Sequence, residues 1–362
     1  MTTVFIYSFT FFSSILLTYV FDVKVNKNEK LPYPYIILLS LLPSITAGVR
    51  YGIGTDYFNY VEHNILIGNS SLWASLEDSR EPLYILLQYF SSFFYNGPQV
   101  FLFLAMFISI YFIMLGANNF RNQSSMSLVM FIYLAYYYIE GFNIVRQTIA
   151  ISIIFYSLKF IIKDRNFVKY LFWVMIATMF HNTALILLFF FFLPYKKPEK
   201  IKSIVSIMFF YCCLAVILLF PIQFLNVLSL IPAFGFYLIR YSFNLDSSVI
   251  SSALRLGPMI IIAIFFLNKL IKQNPNYYVF ISWIILSICL TTFLINIPYG
   301  WRIQYYLALP QLIMGSSVFK IYNLKSNALI MGAIVCVIYI LFFYMYYIVL
   351  GSGPGIPYQS IF

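Results

Sequence analysis

Apolar stretches long enough to form bilayer-crossing helices recur from Val4 to Leu350, separated only by short polar breaks. A chain built this way cannot fold as a soluble domain hung from one anchor, because nearly every segment needs lipid or another apolar helix beside it. Composition agrees: 62% of residues are hydrophobic and 9% are charged, against roughly 25% charged in an ordinary soluble domain. The expected fold class is therefore an all-α integral membrane protein. The runs predict about twelve transmembrane helices, near 3–21, 33–49, 98–117, 126–141, 143–162, 167–180, 183–194, 203–221, 250–271, 276–297, 301–319 and 327–349. A shorter segment, 82–95, reads as a re-entrant or interfacial helix. Residues 1–350 are expected to form a single polytopic domain with outer loops at 50–97 and 222–249. The glycine-rich stretch after Leu350 predicts a flexible outer tail over 351–362.

The net charge of +11 raises the question of an acidic partner, and the position of the charges answers it. The first run has no basic residue before it and no small-residue cleavage site, while Lys24, Lys27 and Lys30 follow it. It reads as a retained helix with its N-terminus outside. Breaking 167–194 into a hairpin at His181-Asn182 then keeps Lys196, Lys197, Lys200 and Lys202 inside. All fourteen lysines fall on the cytoplasmic side and six of the eight arginines on the outer side. The inner face carries +12 and the outer face −1, so the basic balance is a topology signal and gives no support to nucleic-acid binding. Four cysteines, Cys212, Cys213, Cys289 and Cys336, lie in apolar segments without ligand spacing, and there are only two histidines. No metal centre or disulfide framework is expected.

Outer cations that met only water would include lysine. Using arginine alone suggests planar, permanently charged, bidentate donors, and phosphate is their natural match. Arg146, Arg255 and Arg302 stand at or inside the ends of apolar helices, where a charge is costly unless it has a function. Arg50 opens the run RYGIGTDYFNY at 50–60, in which Gly52 and Gly54 permit a sharp turn. That run also holds Asp56, a candidate partner for Arg50 or for sugar hydroxyls, and Tyr57 and Tyr60. Glu81 precedes Pro82 at a helix start, which by itself justifies a carboxylate there. Beyond Glu140, the positions Asn143, Arg146, Gln147 and Ala150 follow i, i+3, i+4, i+7 spacing and define one polar face. Trp301 and Tyr305 flank Arg302; they suit stacking on sugar rings, and an interfacial aromatic belt explains them equally well. His181 sits at the predicted hairpin turn on the outer face, while His63 reads as a surface loop residue.

No P-loop, GxSxG elbow, HExxH or paired-carboxylate metal motif is present, so no cofactor is expected and the energy of any reaction must arrive with its substrate. A lipid-linked diphosphate sugar meets that condition. Its departing diphosphate would face Arg50, Arg146, Arg255 and Arg302. Tyr57, Tyr60, Asn143, Gln147, Trp301 and Tyr305 would face glycan. An acceptor hydroxyl would need a base, for which His181, Asp56, Glu81 and Glu140 are the candidates.

These residues resemble the EpsG-type members of the Wzy polysaccharide polymerases. The likeness lies in RYGIGTDYFNY at 50–60, Glu81-Pro82, NIVRQTIA at 143–150, FHNTAL at 180–185 and the Trp301-Arg302 pair, in that order. It implies a bacterial inner-membrane glycosyltransferase, metal-independent and similar in fold to the C-type glycosyltransferases, with its site on the outer side. Such an enzyme moves a growing glycan from undecaprenyl diphosphate to the non-reducing end of another undecaprenyl-diphosphate-linked repeat unit, yielding capsule, exopolysaccharide or O-antigen. Its partners would be the lipid-linked donor and acceptor, membrane lipids and a chain-length regulator. The resemblance maps onto Arg50, Asp56, Glu81, Arg146, His181 and Arg302. Asn182 departs from the serine common after the histidine. Two other classes fit some of the residues: a lipid-linked oligosaccharide flippase, and a membrane acyltransferase using His181 as base.

Overall fold

The computed structural model describes residues 2–26, 29–77, 79–197, 249–294, 299–322, 324–353 and 355–362. The predicted helix at 203–221 and the loop at 222–249 lie outside the described residues. All regular elements among those described are helical. Among the described residues, five helices are long and apolar enough to cross a membrane: Thr3–Lys24, Gly97–Asn119, Val145–Ile162, Ile250–Gln273 and Ser326–Val349. Five shorter apolar helices accompany them, among them Tyr33–Gly48 and Phe167–Phe180. The protein is a membrane protein.

The single domain expected over 1–350 divides into two compact units, one of residues 1–191 with 311–362 and one of 192–310. In the first unit, α1 (Thr2–Lys24), α2 (Tyr33–Gly48), α6 (Gly97–Asn119), α7 (Met126–Tyr133), α8 (Val145–Ile162) and α9 (Phe167–Phe180) are the apolar helices. Between α2 and α6 the expected outer loop contains three short helices: α3 (Tyr57–Gly68), α4 (Leu72–Glu77) and α5 (Pro82–Ser92). The last matches the helix predicted at 82–95.

Apolar surroundings leave no water for stray polar groups, so hydroxyls turn back on their own helices: Ser14 Oγ donates to Thr10 O and Thr18 Oγ1 to Ser14 O. Small residues let helices approach. A Cβ on Gly116 would lie 2.5 Å from a ring carbon of Phe155, so α6 meets α8 at a point only glycine allows. At the C-terminal end of α1, buried Arg121 donates to Asp22 Oδ1 at 2.8 Å and to the carbonyls of Asp22, Val25, Asn26 and Glu29, closing the turn that leaves the helix. The hairpin predicted at His181 forms. His181 is extended at φ −156°, the chain continues as a 3-10 helix over Asn182–Phe192, and Tyr170 Oη reaches back to Leu187 O at 2.7 Å.

In the second unit, α10 (Val249–Gln273) is followed by α11 (Val279–Leu294), a 3-10 turn (Gly300–Arg302) and α12 (Ile303–Leu307). Trp283 Nε1 donates to Leu307 O at 3.0 Å, tying α11 to the end of α12. The continuous helix expected over 301–319 is broken after Leu307. Pro310 lacks an amide hydrogen and cannot carry a helix through, and α13 (Pro310–Ser316) begins there.

The tail after Leu350 is tied down rather than flexible. Tyr7 Oη donates to Gly355 O, Tyr51 N to Gln359 O and Ile361 N to Val49 O, and Arg50 pairs antiparallel with Ser360. Glycines in the sequence signalled freedom, but Tyr358 overrides them: its ring is buried edge-on against Tyr7 and its hydroxyl donates to Thr46 O at 2.7 Å. Tyr358→Ala should therefore cost about 3–5 kcal/mol, by the measure of other buried aromatics, read as a lowered unfolding midpoint of the purified protein in detergent. A midpoint equal to wild type would return the tail to an unanchored one.

Candidate functional site

The carboxylate of Glu81 is the centre of the site. Pro82 starts α5 at a fixed φ, which leaves Glu81 at the helix's positive end, 7% exposed. Its Oε1 meets His181 Nδ1 at 2.8 Å and accepts from the Asn182 amide at 3.2 Å, while Oε2 accepts from Arg146 Nη1. Three segments far apart in sequence thus converge: the start of α5, the start of α8 and the turn after α9. Burial pushes the Glu81 carboxyl up, but the bond and charge of His181, the Arg146 charge and the Asn182 amide outweigh it and hold it below the usual carboxylate range.

Arg146 and His181 each keep a working side. The Arg146 side chain is 41% exposed, and among the described residues its only hydrogen-bond partner is Glu81, so the remaining fork of donors is open. Its guanidinium lies 5.0 Å from the centre of the Tyr84 ring. His181 uses Nδ1 on Glu81, which leaves Nε2 as the ring's other nitrogen for proton transfer.

Other residues expected at the site are placed differently. Arg50 is 1% exposed: Nη1 donates to Ala47 O at 2.8 Å, Nη2 to Phe142 O at 3.2 Å and Nε to Ile53 O at 3.3 Å, and the guanidinium stacks on the Phe142 ring. Burial lowers its pKa to about 10, with nearby tyrosines opposing the shift, and it stays charged at neutral pH. Its donors face carbonyls, so a diphosphate has none of them to meet. Asp56 does not pair with it; it precedes α3 without a side-chain cap. Tyr57 and Tyr60 are buried, Tyr57 Oη accepting from Gln99 Nε2 at 3.3 Å and Tyr60 Oη donating to Asn143 O, so neither ring offers a face to a sugar.

The polar face expected on 143–150 also resolves differently. Asn143 lies before α8, where its Oδ1 accepts the Thr55 amide at 2.7 Å, and Gly54, at φ +106°, sits so close that a Cβ would come within 2.9 Å of that oxygen. Gln147 is 1% exposed within the helix bundle. Arg146 alone of that face opens outward. Glu140 is 3% exposed and lies against Gly353 and Tyr347, away from any open surface.

In the second unit Arg255 is 6% exposed, donates to Gln304 Oε1 at 3.1 Å and lies 4.8 Å from the Trp301 ring centre. Arg302 lies 4.8 Å from the Tyr299 ring centre, and Tyr305 is fully buried. Trp301 remains half-buried and Tyr299 is exposed, so both keep surface to present.

A family model matches residues 33–360. The chain belongs to the EpsG family. EpsG membership associates the chain with exopolysaccharide polymerisation of the Wzy type, and the matched range contains every residue of the Glu81 cluster. No curated protein and no solved structure gives a significant match. Sequence reasoning missed His63, Tyr84 and Gln88, which stand behind Arg146 in this EpsG chain. Their signal was a glutamine four residues after a tyrosine inside an otherwise apolar helix.

Proposed function

We propose that this EpsG protein transfers a growing glycan from a lipid diphosphate, undecaprenyl diphosphate in a bacterial inner membrane, to a hydroxyl of a second lipid-linked repeat unit on the outer side. The observation that carries the reading is one carboxylate shared between an imidazole and a half-exposed guanidinium. In this mechanism the acceptor hydroxyl attacks the anomeric carbon while His181 Nε2 takes its proton. The bond from that carbon to the diphosphate oxygen breaks, and its electron pair leaves with the diphosphate. Arg146 faces the charge developing there. Glu81 holds the histidine tautomer, stabilises the imidazolium formed, and fixes Arg146 next to it. Within the second unit, taken by itself, Arg255 and Arg302 are proposed to suit diphosphate and Trp301 to suit glycan. A fold like the C-type glycosyltransferases, about twelve spans and independence from metal belong to the same proposal.

The test is elongation of a defined lipid-diphosphate oligosaccharide by the purified protein with EDTA present. Longer products are the expected result; single units that stay unextended in vitro, with repeat units stranded on the inner leaflet of cells lacking the protein, would favour transport instead. Arg146→Lys keeps the charge and loses the planar fork. It should lower kcat about 10²-fold, the scale of losing one oriented donor at a developing anion, measured by the same assay. Wild-type turnover in that variant would remove the bidentate argument.

A further inference from the structure

If Arg146 meets the departing diphosphate, as the proposed polymerase reading has it, then whatever sets the position of Arg146 also sets the rate. Its support is Tyr84, 4% exposed, whose ring lies under the guanidinium. The phenol is held at two points: Gln88 Nε2 donates to it at 2.8 Å, and it lies 3.2 Å from His63 Nδ1. Gln88 has no freedom to reverse, because Asn64 Nδ2 donates to its Oε1 at 2.7 Å and so fixes the amide nitrogen toward the phenol. An oxygen that already accepts one hydrogen bond directs its own proton to the remaining neighbour, and that neighbour is His63 Nδ1. His63 is therefore required as an acceptor, in the neutral form. Its ring lies nearly parallel to that of Tyr84, 12° between planes and 5.5 Å between centres.

We infer that His63 is a positioning residue of the site: as a neutral acceptor it fixes Tyr84 beneath Arg146, and its protonation dislodges both. A charged imidazole has no lone pair at Nδ1 to receive the phenol proton, and it sets a second cation beside Arg146. The groups facing His63 can be named from each neighbouring helix. The start of α5 brings Tyr84 and Glu81, whose oxygens are engaged by His181, Asn182 and Arg146. The start of α8 brings Arg146. Helix α6 contains no charged residue. Burial, then the Arg146 charge, lowers the His63 pKa, so the neutral form prevails at pH 7.

The experiment uses the full-length protein in lipid nanodiscs and two readouts. In the elongation assay, kcat should fall further on the acid side in wild type than in a variant whose residue 63 cannot charge, by about the tenfold expected for a small misplacement of a reacting group. His63→Asn supplies a neutral oxygen acceptor that never charges; its turnover at pH 8 should stay near wild type while its acid slope becomes shallower than that of wild type. His63→Phe keeps an aromatic partner and lacks the acceptor, so kcat should drop about tenfold with KM unchanged, as for a small misplacement of a reacting group. Tyr84→Phe should erase the difference between the two variants. An unchanged acid slope in His63→Asn, or equal turnover in the Asn and Phe variants, overturns the inference while polymerisation itself stands. The second readout needs no activity: with only two histidines in the chain, ¹⁵N imidazole spectra assign each by substitution. His63 Nδ1 should appear unprotonated at pH 7 and shift on Tyr84→Phe. A charged His63 at that pH, or a spectrum indifferent to Tyr84→Phe, sinks the inference even if the protein proves not to be a polymerase.

Discussion

Replacing His181 with alanine is expected to lower single-turnover glycan lengthening about 10³-fold, within the range set by loss of a positioned general base, while the protein still assembles in the membrane. His181 is 13% exposed on its side chain and its only hydrogen-bond partners among the described residues come through Nδ1 to Glu81 and its backbone in the turn, so its removal leaves the packing of α9 in place. Glu81→Gln should cost as much or more. An amide cannot stabilise the imidazolium, and its NH₂ group must face either the Arg146 guanidinium or the ring nitrogen of His181, disrupting one link whichever way it turns. Because the two side chains act as a unit, the double variant should fall little below the worse single one.

The sign of the pH response follows from the same contacts. The folded pKa of Glu81 lies below its ordinary value, so its contribution to stability is complete above the ordinary carboxylate pKa and is lost as pH falls through the depressed one. Loss of turnover at mildly acid pH is then assigned to His63, not to Glu81. A His181→Ala protein that lengthens glycan at the wild-type rate would leave the Glu81 cluster with a structural role only.

How much of this was legible beforehand depended on the kind of signal. Membrane class, the hairpin at His181 and the short helix after Pro82 follow from hydropathy, basic-residue placement and proline, and each acts locally. Glu81, Arg146 and His181 were each visible as a costly polar group in an apolar chain. Their convergence was not, because Glu81 lies 65 residues from Arg146 and 100 from His181. Aromatics gave the weakest reading. With 21% of the chain aromatic, lipid-facing, core and sugar-facing rings look alike in sequence, and Tyr57, Tyr60 and Tyr305 proved to be core. Asn143 shares helical spacing with Arg146, but the helix begins only at Val145; Gln147 is inside it, yet adjacent residues of a helix lie about 100° apart, and it turns into the bundle while Arg146 opens outward. His63 looked like a loop residue because the short helices of 57–92 have no membrane-length run to announce them.

Arg50 carries the other large effect, and it separates two meanings of a conserved-looking charge at a membrane edge. Arg50→Met should destabilise the protein by about 4 kcal/mol, since three buried carbonyls lose their donor at roughly 1–3 kcal/mol for each acceptor left unsatisfied, less the part regained by water or local relaxation. Those carbonyls belong to the end of α2, the glycine turn and the segment before α8, while the backbone of Arg50 pairs with Ser360 of the tail. One residue therefore holds four segments in register, three through its side chain and the tail through its backbone. Arg50→Lys should recover only a minority of the loss: a single ammonium at the end of a flexible stem cannot reach three acceptors in the geometry of a planar fork, nor stack on Phe142 as a guanidinium does. The measurement is the unfolding midpoint in detergent, set beside the elongation KM for the protein that remains folded. Destabilisation with KM unchanged is the expected pattern. A raised KM for the lipid-diphosphate donor with wild-type stability would restore Arg50 to the diphosphate, in conflict with its 1% exposure. Arg146, whose side chain is half-open, is expected to give the inverse pattern: turnover lost and stability kept.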